Sequence, residues 1–217
     1  HRDLHSFPTR RSSDLRAALR LRPELHEAKV GLGAIVAAGG DVDGGLLLMN
    51  DGVGAMPDLA GFAAEACSRA ASARLAVHDI PGGLSLLKRA RSLSPTNLSH
   101  RVALGGALEA AGDDDGALAE YRAVVMEAPE SPRSSARIDA IYGRRNDSAA
   151  RVAEWRHLAD LHPGAAWPRV HLGLALESGD NQEGAETAYR EALSRNALLD
   201  IDSALFRRVR DAEKGRP

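Results

Sequence analysis

Six histidines between residues 26 and 171, one cysteine and a run of three aspartates are the side chains with which this chain could do chemistry. His26, His78, His100, His157, His162 and His171 form no His-Glu-x-x-His pair and no Cys-His spacing of the kind that holds zinc. Cys67 has no base beside it in the sequence, so it reads as a small apolar residue of a helix and not as a nucleophile. Asp113-Asp114-Asp115-Gly116 resembles a fragment of a calcium loop, but it lacks the spaced ligands and the closing Glu about twelve residues from the start. Gly31-Leu32-Gly33 is not followed by a third glycine, since Val36 stands there, and no strand precedes it, so packing explains these glycines better than a dinucleotide does. Gly-x-Ser-x-Gly, P-loop and kinase signatures are missing. The sequence therefore predicts no catalytic residue, no metal ligand and no cofactor, and the chain reads as non-enzymatic.

What remains is binding, and the elements that would present a binding surface are helical. In Leu98–Pro132, Leu104, Gly105 and Leu108 share one helical stripe, and Gly112-Asp113 interrupts it. Ala117, Tyr121 and Val124 then form a second stripe that Pro129 stops. The same order recurs along the chain, and the stopping prolines Pro23, Pro57, Pro95, Pro129 and Pro163 are spaced 34, 38, 34 and 34 residues apart. A helical hairpin of this period, with Leu-Gly in its first helix, Ala and Tyr in its second and Pro after it, resembles the tetratricopeptide repeat (TPR). The resemblance implies an all-α, right-handed superhelical solenoid of helix-turn-helix repeats.

Composition agrees with a solenoid. Aromatics make up only 4% of 217 residues against 44% apolar side chains overall; thin hairpins can fill their layers with Ala and Leu, which also favour helix. A net charge of −2 with interleaved signs gives no general pull toward nucleic acid or an anionic membrane, and no run approaches the roughly 18 apolar residues of a membrane span. One cysteine excludes an internal disulfide framework and fits a reducing, cytoplasmic setting, with periplasmic or secreted settings also compatible.

His1–Leu15 resembles the translation of a sequencing adapter, has no helical period, and is expected to be non-native and to stand outside the fold. The gene is then expected to begin upstream. Residues 16–23 read as a half repeat, the end of a second helix with its partner cut away, which leaves an apolar face open to self-association. Whole repeats follow at about 26–59, 62–97, 98–131, 132–165 and 166–199, with Asp58–Gly61 as the extra residues behind the spacing of 38. Residues 200–217 read as a capping helix, from about Asp202 to Lys214, and a tail. Its Arg207, Arg208, Arg210, Asp211, Glu213 and Lys214 are expected to face water.

Within each repeat, Gly33, Ala71, Gly105 and Gly173 are expected to let paired helices approach, while Met49, Leu87, Tyr121, Trp155 and Tyr189 fill the space toward the neighbour. Asp41, Asp79, Asp113, Asp147 and Asp180 are expected to cap the second helices. Gly44, Gly45, Gly52 and Gly54 should make the second helix of the first whole repeat the softest. Arg74 stands where a large apolar residue is expected. Arg151 stands where a small one is expected, so either the register slips by one to Ala150 or the arginine snorkels.

The family resemblance places partner binding on the concave face of the first helices. Carried over position by position, that face comprises Glu27, Val30 and Ala34; Glu65, Ser68 and Ser72; Val102, Gly106 and Glu109; Arg133, Ala140 and Arg144; and Trp167, Val170, Leu174 and Glu177. Val30 and Ala34 depart from the Lys and Asn clamp of the chaperone-binding branch. Arg133 and Arg144 could hold an acidic ligand or be solvated, and Trp167 could anchor a partner or pack between repeats. The expected function is a bacterial-type TPR scaffold for a protein or peptide partner. The alternative is a regulatory or substrate-presenting TPR segment of an enzyme whose catalytic domain lies upstream.

Overall fold

The structure, a computed structural model, describes residues 7–215, with side chains from Arg11 onward. Among these residues there are helices and no strands. The helices are α1 (Phe7–Leu21), α2 (His26–Ala38), α3 (Val42–Ala55), α4 (Ala60–Ala76), α5 (Ile80–Leu93), α6 (Leu98–Ala110), α7 (Asp114–Glu127), α8 (Pro132–Arg145), α9 (Ser148–Leu161), α10 (Trp167–Ser178), α11 (Gln182–Arg195) and α12 (Ala204–Lys214). They group into two compact units that divide between Ala117 and Leu118. In the first unit α1 lies on α2, α2 pairs with α3 and packs on α4, α4 pairs with α5, and α5 meets α6. In the second, α8 meets α9 and α10, α9 packs on α10, α10 pairs with α11, and α12 lies on α11.

The turns between paired helices follow one rule. A residue with positive φ comes first: Gly40, His78, Gly112, Asn146 and Asp180. The next residue caps the second helix through its side chain. Asp41, Asp79, Asp113 and Asp147 accept the backbone N–H three residues on, from Gly44, Gly82, Gly116 and Ala150, at 2.9, 3.0, 2.9 and 2.9 Å. Each cap satisfies one of the amides that a helix N-terminus leaves without an internal partner. The fifth cap corrects the expectation. It is Asn181, which accepts from Gly184 at 3.0 Å, while Asp180 occupies the left-handed position at φ 60°. Asp and Asn tolerate that conformation better than most residues, so the two exchange roles.

The large residues expected to fill the layers do so: Met49, Leu87, Tyr121, Trp155 and Tyr189 are all at most 2% exposed. The glycines expected to soften α3 have a packing role. A methyl carbon on Gly45 would lie 2.5 Å from the Gly33 carbonyl oxygen, and one on Gly52 would lie 2.8 Å from the His26 carbonyl oxygen. These glycines mark close approach of α2 and α3, and only Gly54 has nothing near it. The spacing of 38 arises because Pro57–Leu59 form a 3-10 turn and α4 runs for 17 residues, longer than any other described helix.

Two further expectations are corrected. Helix α1 begins at Phe7 and not at Arg16, so residues 7–15 are part of a helix. Ser12, Leu15 and Leu19 recur at helical spacing, Ser12 is buried, Leu15 and Leu19 are half-buried, and Leu15 lies against the Gly31 position of α2. His1–Ser6 lie outside the described residues. In α12 not all the charged residues face water. Arg210 is largely covered and reaches Asp200 at 2.5 Å, and Glu213 receives Arg190 at 3.6 Å, while Leu205, Phe206 and Val209 bury the apolar side.

Candidate partner-binding faces of the first helices

The groups that could do chemistry are tied into the fold. On α4 and α6, Ser68 Oγ lies 2.9 Å from His100 Nδ1 and Glu65 Oε1 lies 3.7 Å from His100 Nε2, an arrangement with the composition of a hydrolytic triad. Asn97 decides its polarity. Its Oδ1 accepts the Ser99 N–H at 3.0 Å, which leaves its amide nitrogen, 3.2 Å from His100 Nε2, as the donor. Nε2 is then the acceptor, Nδ1 carries the proton, and the ring donates to Ser68 instead of taking its proton. His100 is buried at 3% exposure, so this is a polar tie between neighbouring hairpins.

Cys67 is fully buried, donates to Met49 Sδ at 3.6 Å, and has its thiol pushed up to about 11 by burial, which removes the thiolate at neutral pH. Asp113 is a helix cap, with Asp114 and Asp115 in the first turn of α7. Among the described residues no group of three or more His, Cys, Asp or Glu side chains could hold a metal ion.

Arg74 is held in place of the expected apolar residue by two partners. Its Nε donates to the cap Asp79 at 2.8 Å and its Nη1 to the Ala38 carbonyl at 3.3 Å, so it links the turns of adjacent hairpins. The Gly82 amide and this guanidinium together hold the Asp79 carboxyl below its ordinary range.

The expected groove residues separate by burial. In the first unit Glu27, Glu65, Ser72 and Gly106 are exposed, and Ala34, Ser68, Val102 and Glu109 are half-buried. Val30 is fully buried, which takes it off any face a partner could touch, because it lies over Gly52 in the α2–α3 seam. In the second unit Arg133, Ala140 and Arg144 are exposed and Trp167 and Leu174 are half-buried. Val170 is fully buried among Leu193, Phe206 and their neighbours. Glu177 is a structural clasp: its Oε2 accepts Tyr189 OH at 2.6 Å and Ser203 Oγ at 2.8 Å, which joins α10, α11 and the cap of α12. Burial first, then this hydrogen bond, pushes the Tyr189 hydroxyl pKa up.

A hub that the sequence did not reveal lies between α8, α9 and α10. Asp139 Oδ1 accepts Arg151 Nε at 2.6 Å and Trp155 Nε1 at 2.8 Å, and its Oδ2 accepts His171 Nδ1. Trp155 stacks on His171 with centroids 4.5 Å apart, and Trp167 lies tilted against the same ring at 5.8 Å, so packing within α10 claims a face of Trp167. Burial alone would raise the Asp139 carboxyl, but the hydrogen bonds and charges of His171 and Arg151 outweigh it and hold the group below its ordinary range.

The hub also answers the question of register. Arg151 stands four residues after its cap Asp147, as Gly45, Gly83 and Ala185 do after theirs, so no slip occurs. A second tie joins α7, α8 and α9: Arg122 donates to both Glu154 oxygens at 2.8 and 2.7 Å and to Tyr142 OH at 2.7 Å.

The fold is TPR-like. No protein-family model matches the chain, and no curated protein does. Among solved structures it is similar to YrrB, a TPR protein with an unusual peptide-binding site, at 13% identity and TM-score 0.46 over 92% of this chain and 97% of that one. It is also similar to a tetratricopeptide repeat protein from Parabacteroides merdae, at 12% identity and TM-score 0.45 over 92% and 90% of the two chains. A third is MamA, at 17% identity and TM-score 0.38 over 85% of each chain. The description of this chain as TPR-like rests on its own hairpins, turns and 34-residue spacing. No described helix is long and apolar enough to cross a membrane.

Proposed function

We propose that this chain is a non-enzymatic scaffold that holds a protein or peptide partner on the exposed faces of its first helices, α2, α4, α6, α8 and α10. The observation that carries the reading is the structural use of the side chains with catalytic potential. His100 donates to Ser68, Cys67 is buried against Met49, and Asp113 caps a helix. What the first helices leave at the surface includes small and charged residues, Glu27, Ser72, Gly106, Arg133, Ala140 and Arg144, and one large apolar side chain, Phe62 of α4. Such positions suit contact with another chain and hold no reacting group.

The test places a photo-crosslinking side chain singly at Glu27, Ser72 and Ala140 on first helices, and at Leu47, Ser85 and Ala153 on second helices. Covalent capture in host cells of one discrete protein from the first set alone is the expected result. Capture from the second set alone, or from neither, overturns the reading.

A further inference from the structure

Of the first helices, α8 alone exposes arginines without exposing a carboxylate. Its outer stripe is Arg133, Ala136, Arg137, Ala140, Gly143 and Arg144, all exposed and recurring at helical spacing. The helix has one acidic residue, Asp139, and the hub of Arg151, Trp155 and His171 draws it inward, where its side chain is 16% exposed. The other first helices differ. α2 exposes Glu27, α4 sets Glu65 beside Arg69, α6 carries both Arg101 and Glu109, each half-buried, and the one arginine of α10, Arg169, is buried against Glu191. Arg137 and Arg144 also interact within the chain; what an approaching partner meets is the local excess of positive charge.

We infer that the α8 face takes an acidic peptide segment of the partner, a deepening that rests on the scaffold reading above. Arg133 and Arg144 are eleven residues apart, so their Cα atoms are separated by about 16 Å along the axis. A segment lying beside α8 therefore meets arginines at both ends and near the middle. Between them Ala136, Ala140 and Gly143 project little, so a backbone can come close enough for its carboxylates to be held by guanidiniums in paired N–H···O contacts. The overall charge of −2 offers no general attraction for acidic chains, so among the first helices specificity for such a segment falls to this stripe.

The experiment titrates the full chain with a fluorescent peptide of about 14 residues built from Glu and Ala, long enough to run beside α8, and with its Gln-for-Glu counterpart. Anisotropy should report saturable binding of the Glu peptide, weakened by added salt, and none of the Gln peptide. The triple variant Arg133→Glu, Arg137→Glu, Arg144→Glu should bind about tenfold more weakly or less. A control reversal on a second helix, Lys88→Glu, should leave binding unchanged. Circular dichroism melts report whether the triple variant folds, and if it does not, Arg133→Gln with Arg144→Gln replaces it.

Equal binding of both peptides, equal loss in control and stripe variants, or tighter binding of a single-stranded oligonucleotide of the same charge overturns the inference. If the Glu peptide fails to bind while crosslinks from Ser72 and Ala140 persist, the acidic-segment inference alone falls. If those crosslinks are missing as well, the scaffold reading falls with it.

Discussion

The hairpins α2–α3 and α8–α9 solve the same problem in opposite ways. In the first, Gly33 and Gly45 face each other, and the two backbones come so close that neither position has room for a methyl group. In the second, the corresponding positions hold Asp139 and Arg151, joined at 2.6 Å, and α8 and α9 approach each other less closely. One seam is closed by the absence of side chains, the other by a charged pair with an indole N–H and an imidazole N–H completing the carboxylate. A glycine seam gains dispersion contact from the main chain itself and tolerates no added atom. A charged seam tolerates bulk but depends on every partner being present, since a buried ion left alone is strongly destabilising.

The largest expected effect tests the charged seam. Asp139→Ala strands the Arg151 guanidinium, the Trp155 N–H and the His171 N–H, and should destabilise the protein by about 3 kcal/mol. Adding Arg151→Ala should restore part of that loss, because the stranded charge goes with it; urea melts of the single and double variants measure the coupling. If the double variant is as unstable as the sum of the singles, the seam is not held by this pair.

Acid titration sharpens the same point. The Asp139 carboxyl is held below its ordinary value near 3.8, so the stability it contributes is present above that pH and is lost as pH falls through the lower folded-state value. Asp139→Asn should therefore lower Tm at neutral pH yet flatten its fall below about pH 4. An acid limb as steep in the variant as in the parent would remove Asp139 from the account.

The glycine seam should break from the opposite change. Gly45→Ala sets a methyl carbon 2.5 Å from the Gly33 carbonyl oxygen and 2.6 Å from Ala37 Cβ. Main-chain atoms cannot swing aside as a side chain would, so the hairpin must open, at about 2 kcal/mol. Helix propensity alone predicts the reverse sign, since Ala favours helix over Gly by about 0.5–1 kcal/mol. The direction of the shift in a thermal melt decides which physics governs the position.

How much of this was legible follows from where the determinants sit. The hairpins were legible because prolines, aspartate caps and apolar stripes act within a few residues of each other. The fifth cap is Asn181 and not the expected Asp180, although the spacing points to it, since it lies 34 residues after Asp147. The Asp139 hub was half visible. Arg151 stood out at a small-residue position, but the aspartate that accounts for it is twelve residues earlier on another helix, and His171 comes from the next hairpin. The groove was less legible still. Val30, Val170 and Glu177 stand at positions where the resemblance implies an exposed face, and only three-dimensional packing shows the two valines buried and the glutamate clasped by Tyr189 and Ser203.

The smallest effect is also the one that separates packing from propensity most cleanly. Gly54 lies on the same helix as Gly45 and Gly52, yet a methyl carbon there would meet nothing within 4 Å. Gly54→Ala should therefore raise stability by about 0.5–1 kcal/mol, by narrowing the conformations open to the unfolded chain and favouring helix near the end of α3. Set beside Gly45→Ala, the pair changes the same residue type to the same residue type nine positions apart on one helix. Opposite signs in paired melts would show that α3 is soft only where its glycine is idle. A loss at both positions would mean that the end of α3 touches something the α2–α3 seam does not account for.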